Sequence, residues 1–227
     1  MTMASPAGQQ GATASEIRSA LLSGLSRLDP AFDAAGYRRS RSSLAYRRNL
    51  GSTKQEVRFG YVMHPRAFPG HCAQMTATGR IVMPDLEQAL AGMLHGLEHR
   101  LHIGITVGQP VELMVPVAQK TSYFGSAKSW IAESLHDISP VLEQASAIFD
   151  KIVLPFMDDY KTAEDLVAGL RSDDPRLHRD EALRVRVVVV LLTTGRRDQA
   201  RALLVDHFSG SLPRRLYRGL WEAAGST

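Results

Sequence analysis

Three residues in the middle of the chain have the spacing of a zinc-hydrolase motif. His95, Glu98 and His99 match the H-x-x-E-H pattern, in which two histidines one helical turn apart bind zinc and the glutamate acts as the base. His102 adds a further imidazole. The apolar stripe of the predicted helix is centred near Leu97, so the histidines fall on the opposite side. Zinc ligands of this class line a cleft, so we expect a solvated helix face and keep a zinc site at His95 and His99 as an alternative.

A second group of residues with chemical potential combines arginine with tyrosine. Its members are Arg38, Arg39, Arg41, Tyr46, Arg47 and Arg48, with Tyr37 beside them. Arginine forks suit carboxylates and phosphates, and tyrosine can stack on bases. The same residues also fit an ordinary sheet face whose charges block edge pairing. An acidic protein and a nucleic acid are therefore the two binding hypotheses. The chain has no RNP, KH, zinc-finger or helix-turn-helix signature.

The other reactive residues fit ordinary structural roles. Cys72 follows His71, but neighbouring residues of a strand point to opposite faces, so this pair does not predict a nucleophile and its base. The acidic pairs at 158–159 and 173–174 lie beside predicted helix boundaries, where aspartate is expected as a cap. The sequence contains no G-x-S-x-G, Walker or Rossmann fingerprint. We therefore predict a non-enzymatic protein without a cofactor.

The positive charge of the chain is concentrated in one segment. The net charge is +4, but residues 37–66 contain eight Arg or Lys and one acid, a local balance of +7 that leaves −3 for the other residues. Cys72 is the single cysteine, which excludes an internal disulfide and fits a reducing cytoplasm. We find neither a signal peptide nor an apolar run of about 20 residues, so we expect a cytoplasmic protein with no membrane partner.

Hydrophobic periodicity predicts an α+β fold in which an N-terminal helix and an antiparallel sheet come first. Thr13 and Glu16 have capping-box spacing before a predicted helix over 14–35. Two alternating segments around the turn at 51–52 predict a hairpin, and 71–82 predicts a third strand. A helix is expected from Pro84 to Leu101, followed by short strands or extended loop over 103–118.

From Trp130 onwards the pattern predicts only helices. One should run from Pro140 to Met157, with a kink or end at Pro155, and another over 163–170. The apolar run 187–192 predicts a helix that begins at Asp174-Pro175, is buried nearly all round, and is joined through Gly195 to a second helix. A last helix should begin at 212–213. We predict a disordered segment over 1–12, an α+β domain over 13–130, and a C-terminal all-helical region over 131–227 packed on that domain.

Several of these segments resemble a known family. They are the first helix, Gly-Tyr-Arg-Arg at 36–39, Leu-Ala-Tyr-Arg-Arg at 44–48, Val-Arg-Phe-Gly-Tyr at 57–61, Trp130, and Leu-Pro-Phe at 154–156. Over residues 17–170 the chain resembles a bacterial domain-of-unknown-function family of small α+β proteins. The resemblance implies a toxin-immunity or interaction role, suspected for some members, and supplies no catalytic residues.

The leading hypothesis is thus a bacterial protein-binding protein, in its concrete form an immunity-type protein whose basic hairpin covers an acidic patch on a toxin or effector. The alternative is a nucleic-acid-associated protein that uses the same hairpin, residues 37–48. The third hypothesis is a zinc-dependent hydrolase acting through His95 and His99.

Overall fold

The protein has an α+β fold in a computed structural model that describes residues 12–94, 96–124 and 130–225, without the side chains of Glu98 and His99. The strands are Ala45–Leu50 (β1), Thr53–Met63 (β2), Ala73–Val82 (β3), Val107–Pro110 (β4) and Trp130–Ala132 (β5). The α-helices are Ala14–Leu25 (α1), Asp29–Ala34 (α2), Pro84–Met93 (α3), Glu98–Leu101 (α4), Val111–Met114 (α5), Lys120–Phe124 (α6), Ile138–Ile148 (α7), Leu154–Asp159 (α8), Ala163–Arg171 (α9), Glu181–Thr193 (α10), Arg197–Phe208 (α11), Ser211–Leu216 (α12) and Arg218–Ala223 (α13).

The sheet is antiparallel, in the order β1-β2-β3-β4, and β5 pairs with the other end of β3. The predicted hairpin is confirmed: β1 and β2 pair from Ala45 opposite Arg58 to Leu50 opposite Thr53. Burial alternates along β3, where every second residue from Ala73 to Ile81 is buried. One face of the sheet therefore lies in the core and the other faces solvent.

The N-terminal helix begins with the predicted capping box. The Thr13 hydroxyl accepts the Glu16 backbone N–H at 3.3 Å, and the Glu16 carboxylate accepts the Thr13 N–H at 2.8 Å. The prediction of one helix over 14–35 was wrong, because the chain forms α1 and α2 with a turn between them. Pro30, at the start of α2, has no N–H to continue the hydrogen bonds of α1.

The helix predicted from Pro84 starts where expected and ends early. It ends at Met93 instead of running on to Leu101, and the short helix α4 follows only after Gly96, whose φ is +82°. A backbone in this left-handed region cannot continue a right-handed helix. The prediction of one helix over 84–101 was therefore wrong.

The segment at Trp130 is a strand and not the beginning of the helices. Ala132 pairs with Ala73 and Trp130 with Met75, and helix α7 starts at Ile138. Helix α7 then continues through a π-helical segment, Phe149–Val153, into α8, so Pro155 does not end it. Pro155 lies in the first turn of α8, directly after the π-helical segment, a position where a proline is tolerated.

The buried helix hairpin is confirmed. Helix α10 is buried from Val185 to Leu191 and leads through Gly195, with φ +77°, into α11. Its start was predicted wrongly at Asp174-Pro175. It begins at Glu181, where the Asp180 carboxylate accepts the Leu183 N–H at 2.8 Å. Asp174 is engaged elsewhere, with Tyr160 and Arg176.

Buried side chains from the sheet and from the later helices belong to one hydrophobic cluster, which includes Tyr46, Phe59, Phe149, Val188 and Trp221. Of the predicted disordered segment 1–12, all but Ala12 lies outside the described residues. Among the helices that the structure describes, none has both the length and the apolar character needed to cross a membrane.

Candidate functional site

The H-x-x-E-H segment does not lie on one continuous helix. His95 and the side chains of Glu98 and His99 are outside the described residues, but the backbone breaks between α3 and α4. The i, i+4 geometry that places two zinc ligands on one helix face requires an unbroken turn. His102, just beyond α4, is exposed with φ +48°. Among the described side chains, no three His, Cys, Asp or Glu residues are grouped so as to hold a metal ion.

Half of the predicted arginine–tyrosine surface lies inside the protein. Tyr46 is buried, stacks on Phe32 with ring centroids 3.9 Å apart, and places its hydroxyl 2.6 Å from Asp29 Oδ1. The Arg39 side chain is only 5% exposed and makes a two-pronged ion pair with Asp29 at 3.0 and 2.9 Å. Tyr46 cannot stack on a base in this position, and Arg39 is already paired, so their predicted binding role is not supported.

Arg48 is the third buried member and joins the sheet to the helices. Its side chain is 7% exposed. It donates to Gln55 at 2.7 Å, to the Ala35 carbonyl at 2.9 Å and to Asp158 at 2.6 Å. Its guanidinium also lies 4.5 Å from the centre of the Tyr37 ring. Arg48 is thus a structural residue, and its predicted binding role is also unsupported.

The electrostatics of Asp29 and Asp158 agree with this structural role. Burial alone would raise the pKa of Asp29, but hydrogen bonds from Arg39 and Tyr46 outweigh it and lower that pKa. Burial likewise opposes ionisation of Asp158, and hydrogen bonds from Arg48 and Lys161 lower its pKa. Both carboxylates therefore stay ionised beside the buried arginines.

The remaining predicted arginines are at the surface. Arg38 is 73% exposed and pairs with Asp33 at 2.9 Å. Its backbone exchanges hydrogen bonds of 2.8 and 2.9 Å with that of Arg47, which places it beside the edge of β1. Arg41 is exposed, and no ion pair joins it to any other described residue. These residues flank the solvent-facing side of the sheet.

Strand pairing builds a row of charges across that solvent-facing side. Arg47 on β1 lies opposite Glu56 on β2, and Glu56 lies opposite Arg80 on β3. The Glu56 carboxylate contacts Arg47 at 2.7 Å, Arg58 at 2.8 Å and Arg80 at 3.7 Å. One carboxylate thus pairs with three guanidinium groups and accepts hydrogen bonds from two of them, those of Arg47 and Arg58.

We call the set Arg47, Lys54, Glu56, Arg58 and Arg80 the arginine face. Its four cations and one carboxylate leave a net charge of +3. Burial would raise the pKa of Glu56, but hydrogen bonds from Arg58 and Arg47 outweigh it, so the pKa is lowered. Glu56 is therefore ionised at neutral pH. A shallow cavity of about 310 Å³ runs along these residues and ends at Gly104 and Ile105.

Sequence reasoning missed Arg58 and Arg80 as members of this surface. The period-2 alternation contained the signal for Arg58, because it lies between the buried positions Val57 and Phe59 of the same strand. Arg80 is on the next strand, and its position beside Glu56 depends on the pairing register of β2 and β3. Register cannot be read from a single strand.

Comparisons with known proteins found no match: no protein-family model, curated protein or solved structure matches this chain. The family resemblance that the sequence suggested is therefore still a prediction.

Proposed function

We propose that this protein binds the acidic surface of another protein through the arginine face. The observation that carries the proposal is the row Arg47–Glu56–Arg80 across three strands, with Arg58 on the same carboxylate. The three arginine side chains are 56%, 48% and 37% exposed for Arg47, Arg58 and Arg80. They are preorganised by Glu56, which lowers the entropy cost of pairing with carboxylates on a partner.

Two features favour a protein over a nucleic acid. Tyr37 and Tyr46, the aromatic residues within residues 37–48, are buried and offer no stacking surface. Glu56 lies in the middle of the arginine face, where it would repel a phosphate backbone. A partner protein can place carboxylates on the arginines and a donor or cation against Glu56. This pattern of mixed charge gives specificity as well as attraction.

The concrete form of the proposal is an immunity-type or similar interaction protein that covers an acidic patch on a toxin or effector. The family resemblance supports this form. Arg38 and Arg41 extend the positive charge beyond the edge of β1 and would speed association with an acidic partner.

The test is quantitative capture from a nuclease-treated lysate of the source organism, at low salt, with mass spectrometry. The variant Arg47→Gln/Arg58→Gln/Arg80→Gln should lose the specific partner. The control Arg197→Gln/Arg201→Gln/Arg215→Gln removes the same charge from exposed residues of the helical region and should keep it. Purified partner is then titrated against both variants at increasing salt.

Equal binding by the two triple variants would overturn the proposal, because the position of the charges on the arginine face would then not matter. A parallel capture from untreated lysate completes the test, and a partner that is present there but absent after nuclease treatment would favour the nucleic-acid alternative. Arg39 and Arg48 are unsuitable for this test, since their substitution breaks buried ion pairs. Thermal unfolding of each variant shows whether the fold is intact.

A further inference from the structure

The arginine face occupies one end of a larger open surface, the solvent-facing side of the sheet. Along β2 this side continues from Glu56 to Val62, because every second residue of a strand points to the same side. Val62 lies opposite Gln74 on β3, and Gln74 lies opposite Ile131 on β5. A second row of side chains, Val62–Gln74–Ile131, therefore crosses three strands beyond the row that contains Glu56.

This second row is apolar at both ends, whereas the first row is charged. Val62 is 51% exposed, and Ile131 is partly buried. Among the well-exposed large apolar side chains of the described residues, Val62 is the one on the open side of the sheet, since Met63 points to the opposite side. Val62 comes six positions after Glu56, so the two rows lie about 20 Å apart at about 3.3 Å per residue.

A stable protein complex needs a larger surface than the arginine face alone. Such interfaces bury about 800 Å² on each partner and involve about 20–30 residues a side, and the arginine face has five. Exposed ion pairs also contribute little free energy, whereas well-packed residues near the centre of an interface contribute most of it. The interface must therefore extend beyond the arginines to a side chain that can be buried.

The open side of the sheet provides a direct path from the arginine face to Val62. Gly60 and Thr76 lie opposite each other between the two rows. Glycine has no side chain and threonine has a short one, and a glycine inside a strand leaves room for another chain to approach the backbone closely. One partner surface can therefore contact both rows at the same time.

We propose that the acidic partner of the arginine face also contacts the second row, where it places an apolar side chain on Val62. This inference rests on the proposed function, because charge complementarity with the arginine face is what defines the partner. The partner is a folded protein with Asp or Glu side chains at one end of its binding surface and an apolar side chain about 20 Å away. The arginines speed association, and the contact with Val62 slows dissociation.

The test titrates the purified partner, captured as described above, against variants of the full-length protein. Val62→Gln should raise Kd about 5- to 10-fold, because the apolar surface that binding removes from water is lost. This ratio should persist at high salt, whereas the effect of Arg47→Gln/Arg58→Gln/Arg80→Gln should shrink as salt screens the charges. Leu212→Gln changes an apolar residue of the helical region that is 53% exposed and should leave Kd unchanged. Thermal unfolding of each variant shows whether the fold is intact.

Photo-crosslinking locates the contact directly. With p-benzoylphenylalanine at position 62, irradiation should join the protein to its partner, and sequencing of the joined peptide should find an apolar residue at the contact. The same crosslinker in place of Val205, an exposed residue of α11, should give no such product.

The outcomes separate this inference from the proposed function. Equal binding by Val62→Gln and wild type, or the absence of a crosslink at position 62, would overturn the contact with the second row and leave the arginine face as the binding surface. Binding that survives the triple arginine variant, or a wild-type protein that captures no partner, would overturn the proposed function and this inference with it.

Discussion

Arg47 and Arg48 are neighbours in the chain and have opposite roles. Arg47 points to solvent and is 56% exposed, whereas Arg48 points into the core and is 7% exposed. Both make ion pairs of similar length, 2.7 Å to Glu56 and 2.6 Å to Asp158. An ion-pair distance therefore says little about function. Burial decides whether an arginine holds the fold together or can meet a partner.

The same contrast extends to the rest of the molecule. Each interior arginine forms an ion pair with a carboxylate: Arg39 with Asp29, Arg48 with Asp158 and Arg186 with Glu87. The arginine face shares one carboxylate among three guanidinium groups and retains a net positive charge. Substitutions of the interior arginines should therefore change stability most, and substitutions on the arginine face should change it least.

Removing the most deeply buried arginine should cost the most stability. The side chains of Arg186 and Glu87 are 2% and 6% exposed, and Glu87 also accepts from Gly104 and Thr106. Arg186→Met leaves a buried carboxylate unpaired and should lower the unfolding free energy by about 3–5 kcal/mol in urea denaturation. Adding Glu87→Gln removes the unpaired charge and should recover more than half of the loss. A double variant less stable than the single one would contradict this account of the pair.

The adjacent pair in β1 provides the matched comparison. Arg48→Met leaves the Ala35 carbonyl without this donor, leaves Asp158 paired with Lys161 alone, and should cost about 2–3 kcal/mol of unfolding free energy. Arg47→Met breaks an exposed pair and should cost less than about 1 kcal/mol. Urea denaturation of both variants measures the difference. Equal losses would show that burial does not separate the two roles.

Asp174 should make stability depend on acid pH. Burial alone would raise its pKa, but hydrogen bonds from Arg176 and Tyr160 hold the pKa at about 2, below the usual 3.8. Because the folded-state pKa is lowered, the contribution is complete above about pH 4 and is lost as the pH falls towards 2. Asp174→Asn should therefore cost about 2 kcal/mol at pH 7.

Urea denaturation as a function of pH measures this contribution. The difference between wild type and Asp174→Asn should shrink steadily between pH 4 and pH 2. A difference that stays constant through this range would show that the carboxylate is not responsible. Asp33→Asn, which breaks only the exposed pair with Arg38, serves as the control and should show a difference of less than about 1 kcal/mol.

The least change in stability is expected on the arginine face. Arg58→Gln breaks an ion pair whose arginine is 48% exposed and should change the unfolding free energy by no more than about 0.5 kcal/mol. Its effect should appear in binding, as a slower association with the captured partner that becomes similar to wild type at high salt. Stopped-flow or surface-plasmon measurements would detect it. A large loss of stability would show that Arg58 has a structural role, as Arg48 does.

Local patterns predicted the elements whose determinants are close in sequence. The capping box at Thr13 and the hairpin from Ala45 to Met63 formed as expected, and helix α10 is buried as expected although it begins later than predicted. The incorrect predictions concern elements that depend on pairing with a distant segment of the chain or on a local break in the helical backbone. The strand at Trp130 exists because β3 is there to pair with it. The helix from Pro84 ends early because the backbone leaves helical geometry at Leu94, and Gly96 then takes a positive φ.

For the binding surface, the order of residues was enough to locate the positive charge, because eight cations lie within residues 37–66. Only the tertiary structure shows which of those cations are exposed to a partner. The partners of Arg48 and Arg186 lie 110 and 99 residues away along the chain. Arg80 joins the surface through the register of two strands. Burial and pairing of charges depend on contacts between distant segments, and local propensity contains no information about those contacts.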